Sequence, residues 1–199
     1  HASRFGYDGN AKTYLEKELG VEGAQKYLGK PIRLWYWQHR WFRPATKEEF
    51  QVYVTPEGDI VRAAHEIPED AAGADLAEDS ARSLAERYLF GVMQQDSTAL
   101  TFIESQRIGR PHRADWTFTY RASGIEPVEG SEYRYSVQIL GDQFGGYREW
   151  LKVPEEWMAS YHKLRSYNDA ASKADGIGFV LTIVAMIAVF FIYSRRKDI

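Results

Sequence analysis

Apolar and polar positions along the chain follow two rhythms, and the switches between them mark the elements. Over residues 11–28, Tyr14, Leu15, Leu19, Ala24, Tyr27 and Leu28 recur at mostly helical spacing, interrupted near Gly20 and Gly23, which predicts one helix or a helix pair. Residues 33–43 alternate and are dense in aromatic side chains, the pattern of a strand. Residues 49–67 read as a hairpin turning at Thr55-Pro56-Glu57-Gly58-Asp59. A second helix is expected over 76–94, with Leu76, Ala81, Leu84, Ala85, Tyr88, Leu89 and Val92 on one face. Residues 101–108 and 114–121 read as strands, and 132–153 as a longer hairpin turning at Gly141-Asp142. The helical rhythm returns from Pro154 to Lys173, where Glu155 and Glu156 suit the positive end of a helix dipole.

The two halves share a register. Glu49-Phe50 through Gly58-Asp59 precedes Glu132-Tyr133 through Gly141-Asp142 by 83 residues, and Ile67-Pro68-Glu69 precedes Val153-Pro154-Glu155 by 86. The expected architecture is therefore α+β: two tandem units, each a helix followed by an antiparallel hairpin, at 11–75 and 76–153. An N-terminal fragment (1–10) precedes them, and a helical stalk (154–175), one C-terminal transmembrane helix (176–194) and a basic tail (195–199) follow.

The transmembrane expectation rests on residues 177–193, which carry no charge and no proline and are apolar on every face. Arg195, Arg196 and Lys197 follow as a topology signal that places the tail in the cytoplasm and the main domain outside it. Gly178, Thr182 and Ala185 form a small-residue stripe, a candidate face for packing against another helix. Expected partners are accordingly membrane lipid and other transmembrane helices or a larger membrane complex. The chain opens on His1 without a leader and ends soon after the apolar run, so it reads as a piece of a longer protein.

Composition sharpens this. A net charge of −3 becomes −5 once the tail residues Arg195 to Asp198 are set aside, which disfavours nucleic acid as a partner. No cysteine is present, so no disulfide framework exists. The five histidines, at 1, 39, 65, 112 and 162, show no metal-binding helical spacing, and His65-Glu66 lacks the second histidine of a zinc helix. Nucleophile-elbow, phosphate-loop and dinucleotide motifs are absent, so neither a catalytic residue, nor a metal ligand, nor a cofactor is assigned. The glutamate pairs Glu48-Glu49 and Glu155-Glu156 read as solvated structural groups. The richest local feature is the alternation that puts Arg33, Trp35, Trp37, His39 and Trp41 on one face of a strand. That face is the candidate ligand or partner surface, for a glycan or a peptide; its alternative role is a core packed beneath a helix.

Several segments carry a resemblance: Ala11-Lys-Thr-Tyr-Leu-Glu-Lys-Glu-Leu-Gly20, Trp41-Phe-Arg-Pro44 with Lys47-Glu-Glu-Phe50, Val54-Thr-Pro-Glu-Gly58, and Phe144-Gly-Gly-Tyr-Arg-Glu-Trp-Leu-Lys-Val-Pro-Glu155. Together they resemble the N-terminal extension of bacterial CPBP-type (CAAX protease-like) intramembrane proteases, and the helix–hairpin units look like PepSY modules. The resemblance implies the bacterial inner membrane, an extracytoplasmic main domain, and a sensing, regulatory or substrate-presenting role. The family's catalytic signature, a glutamate pair followed three residues later by arginine, has no counterpart, since Tyr53 and Ser160 stand where the arginine would be. The competing expectation is a single-pass accessory or scaffold subunit of a larger membrane complex.

Overall fold

Asp8 starts the first helix: its carboxylate accepts from the Ala11 amide at 3.0 Å, satisfying one of the free N–H groups of the first turn. The computed structural model describes residues 1–195, and the side chains of all of these except 169–178. The chain divides into two compact units, His1–Val153 and Pro154–Ile199.

In the first unit the order is β1 (Ala2–Tyr7), α1 (Gly9–Gln25), β2 (Trp35–Phe42), β3 (Glu49–Val54), β4 (Ile60–Glu66), α2 (Glu78–Glu86), β5 (Leu100–Arg110), β6 (Arg113–Ala122), β7 (Glu132–Leu140) and β8 (Gln143–Lys152). Gly20 breaks α1 at φ +70°, and α2 runs on into a π-helical turn, Arg87–Val92. All eight strands form one antiparallel sheet in the order β1-β2-β3-β4-β8-β7-β6-β5.

This overturns the expected pair of separate helix-plus-hairpin units. Each hairpin alone would leave an open ladder edge, and the last strands of the two halves, β4 and β8, close both by pairing with each other. The N-terminal residues, read as a fragment, supply β1, which pairs with β2 from Ala2↔Arg40 to Tyr7↔Trp35. The core sits on one face of β6–β8, where Phe118, Val137 and Ile139 are fully buried and Tyr147 and Leu151 nearly so. Helix α2 lies over this face; its Ala81 and Ala85 allow close approach and Leu89 is fully buried, worth about 2–3 kcal/mol. Helix α1 adds Tyr14 and Leu15, and the Tyr14 hydroxyl hydrogen-bonds Ser131.

The β7–β8 turn shows how tightly the chain is drawn. Gly141 sits at φ +63°, and a Cβ there would lie 2.9 Å from the Ala74 nitrogen and 3.0 Å from the Gly73 Cα. Left-handed backbone costs an L-residue about 1–2 kcal/mol before any overlap. Gly141→Ala is therefore expected to lower stability by about 2 kcal/mol or more, read as a fall in the urea midpoint at constant slope. An unchanged midpoint would show that the segment around Gly73 moves freely.

The second unit is one helix, α3 (Glu155–Arg195), with Trp157 and Tyr161 stacked at 5.1 Å. The expected division into stalk and transmembrane helix is corrected here. Among the described residues no helix is long and apolar enough to cross a membrane. The apolar side chains described, 179–193, extend about 22 Å along the axis against a hydrocarbon core of about 30 Å. Of the small-residue stripe, Thr182 and Ala185 are exposed and Gly178 lies outside the described side chains. Arg195 closes α3, while Arg196 and Lys197 lie outside the described residues.

Candidate functional site

Strand β2 carries the aromatic alternation, and its two neighbours determine what the face becomes. In-register partners share a side, so Phe5 stands beside Trp37, Ser3 beside His39, Val52 beside His39, and Phe50 beside Trp41 and His65. The rings form three neighbouring groups: Phe5 with Trp37 at 5.1 Å, Trp41 with His39 at 6.0 Å and His1 at 5.1 Å, and Phe50 stacked on His65 at 4.1 Å. Phe5, Trp37, Trp41 and Phe50 are 43–47% exposed and neighbours by register, a shared patch and not singly scattered surface residues.

Of the five residues read from the sequence, Trp37, His39 and Trp41 thus come together on an open surface, and Trp35 flanks them half-buried beside Tyr7. Arg33 does not join them. It precedes β2, so the strand alternation does not reach it, and its guanidinium turns inward: Nε lies 2.7 Å from Glu149 Oε1, Nη2 donates to Oε2 at 2.7 Å, and Nη1 lies 3.2 Å from Asp59. Burial would lower the Arg33 pKa, but Glu149 outweighs it and holds the guanidinium above its ordinary value. The carboxyl of Glu149 is pushed up by burial against the pull of Arg33. Tyr147 donates a further hydrogen bond to Glu149 at 3.2 Å.

Phe5, Phe50 and His65 belong to the face and were not read as part of it. Phe5 shares its side of β1 with Ser3 and Tyr7, a short signal without a preceding turn; Phe50 and His65 reach the platform only through strand register. The two neighbouring carboxylates have separate partners. Glu48 pairs with His65 at 3.0 Å, whereas Glu49 is bound by Arg40, whose hydrogen bond holds its carboxyl below the usual range. The two glutamates diverge and share no substrate position. Glu155 and Glu156 occupy the first turn of α3.

Among the described residues no cluster of three or more His, Asp or Glu side chains converges as metal ligands. What the face can do is bind: flat rings stack on apolar or π surfaces, and histidines and arginines at the rim add polar contacts. The molecule belongs to the class of open antiparallel α+β sheets with one aromatic half-face left bare. Compared with family models, curated proteins and solved structures, the chain matches none.

Proposed function

We propose that residues 1–153 form a non-catalytic recognition domain that binds an extended polypeptide on the aromatic face of β1–β3, a substrate-presenting role. The observation that carries this reading is the exposed set Phe5, Trp37, Trp41 and Phe50 on and beside the edge strand β1. An edge strand offers unpaired backbone groups to an added strand, and alternate side chains of that strand would fall onto the platform. The resemblance to the N-terminal extension of CPBP-type intramembrane proteases supplies a setting: an extracytoplasmic domain that delivers polypeptide to a membrane-embedded partner. The apolar, exposed end of α3 supports the anchoring part of the reading, in lipid or against helices of a larger complex.

The test uses reduced, carboxymethylated α-lactalbumin as an unfolded polypeptide, followed by tryptophan fluorescence. The wild type is expected to bind, and Trp37→Ala with Trp41→Ala to weaken binding at least tenfold while leaving far-UV dichroism and the urea midpoint nearly unchanged, because both rings are already largely exposed. Wild type without affinity for the probe overturns the reading; unfolding of the variant would assign the rings to the core instead. For the anchor, Val184→Asp with Ile187→Asp is expected to move the full chain from the detergent phase to the aqueous phase on Triton X-114 partitioning. Equal partitioning of wild type and variant would remove that part.

A further inference from the structure

The seam between the two half-sheets holds a second site, on the face opposite the aromatic platform. Strands β4 and β8 pair over only three positions: Arg62↔Arg148, Ala63↔Tyr147 and Ala64↔Gly146. The spacing of 86 that relates Ile67 to Val153 also relates Arg62 to Arg148, so the seam sets two equivalent arginines directly opposite each other. Beyond them lies a cleft of about 330 Å³, lined by Arg62, Arg148, Tyr36, Tyr53, Trp150 and Asp8.

Like charges in register across a ladder repel, and strands place them so at a cost. No salt bridge offsets that cost: among the described residues neither guanidinium has a carboxylate at ion-pair distance, while the nearby Arg33 has taken both Glu149 and Asp59. Instead each guanidinium lies over a ring, Arg62 at 5.0 Å from the Tyr53 centroid and Arg148 at 5.1 Å from that of Trp150. Stacking holds a fork in place and leaves its N–H edges free to donate. Partial desolvation in the cleft and the neighbouring Arg62 lower the Arg148 pKa against the opposing pull of Asp8, while the side chain still reaches solvent, so an anion arriving there offsets the repulsion from Arg62. Asp8 is the one unpaired acid on the lining, and one of its oxygens is committed to the cap of α1; Gly9 and Asn10 of the same helix start also face the cleft. Tyr36, kept protonated by burial and by Asp8, adds a hydroxyl donor.

We infer that this cleft binds the oxyanion group of a small molecule, a phosphate or a carboxylate, between Arg62 and Arg148, with the Trp150 side of the cleft receiving the rest of the ligand. The site is independent of the aromatic face, and its failure would leave the polypeptide-binding reading intact.

The test measures thermal midpoint and calorimetric binding of the full chain at constant ionic strength, with inorganic phosphate and acetate as separate probes and chloride as reference. Phosphate or acetate, or both, is expected to raise the midpoint above chloride, and which one does identifies the source. Arg62→Gln with Arg148→Gln is expected to weaken that binding at least tenfold, and, because the repulsion is gone, to match or exceed the wild-type midpoint without ligand. Arg107→Gln, a surface control, should change neither. The inference fails if neither probe exceeds chloride, or if the double variant binds as the wild type does. Should the double variant not fold, Arg148→Lys decides: it keeps the charge and loses the fork, so weaker phosphate or acetate binding supports the site and unchanged binding overturns it.

Discussion

Arg33→Ala is expected to lower the stability of the domain by about 3–5 kcal/mol, the cost of leaving a buried carboxylate without its cation. The Glu149 side chain has no exposed surface and receives two short contacts from Arg33. Tyr147 supplies only one hydrogen bond, and Tyr133 and Tyr135, beside it on β7, are themselves buried and kept neutral, Tyr135 with its pKa pushed up to about 12. Removing the guanidinium leaves Glu149 to take up a proton or unfold the seam. Its pKa, already above the ordinary carboxylate range, would rise further. A group whose pKa is higher in the folded than in the unfolded state contributes stability that is complete below the unfolded value and is lost as pH climbs through the folded one. The deficit of Arg33→Ala should accordingly be smaller at pH 5 than at pH 8, measured by urea unfolding at both. Replacing both partners, Arg33→Met with Glu149→Leu, should recover most of the loss, because an apolar pair of similar volume restores burial without stranding a charge. A single-variant deficit below about 1 kcal/mol would show that water reaches Glu149 and that the ion pair is structurally dispensable.

The second large effect is expected at Arg113, whose side chain is 2% exposed. Its Nε donates to Asp115 at 2.7 Å, and its Nη1 donates to the carbonyls of Pro68 at 2.9 Å and Ala71 at 2.7 Å. One guanidinium thus fixes the connector between the half-sheets to the β5–β6 hairpin. Arg113→Ala leaves a carboxylate that is 1% exposed with, among the described residues, only Arg110 as an ion-pair partner, at 3.0 Å, and frees the connector carbonyls. A loss of about 3 kcal/mol follows. Hydrogen exchange should localise it: the amides of Gly73 and Ala114, which bond to His112 and Ala74 across the same strap, would exchange faster, while those of β1–β3 would not. Uniform exchange throughout the sheet would show that Arg113 supports global stability and not the strap.

These two arginines mark the limit of what periodicity shows. Hairpins were legible because their turn residues and alternation are local: the turn at Gly58-Asp59 joins β3 to β4, and that at Gly141-Asp142 joins β7 to β8. The aromatic alternation of β2 was legible too, but alternation says only which residues share a face. Whether that face is covered depends on where a helix lies, and α2 rests on β6 and β7, leaving Trp37 and Trp41 open. Arg33 read as a member of the face because its spacing fits; two residues outside the ladder, that spacing no longer governs it. The acceptor that claims it is 116 residues away.

By itself, then, the sequence determined most of the helical and extended segments, their turns, and the aromatic composition of one strand, all properties of neighbouring residues. Only the tertiary structure decided that the halves fuse into one sheet, that β1 completes it, and that α3 runs as one helix. It also decided that Arg62 meets Arg148 across the seam. The reason is physical: strand pairing and burial are made between segments far apart in the chain, and β4 finds β8 through unpaired backbone groups that every strand possesses and no side-chain pattern announces.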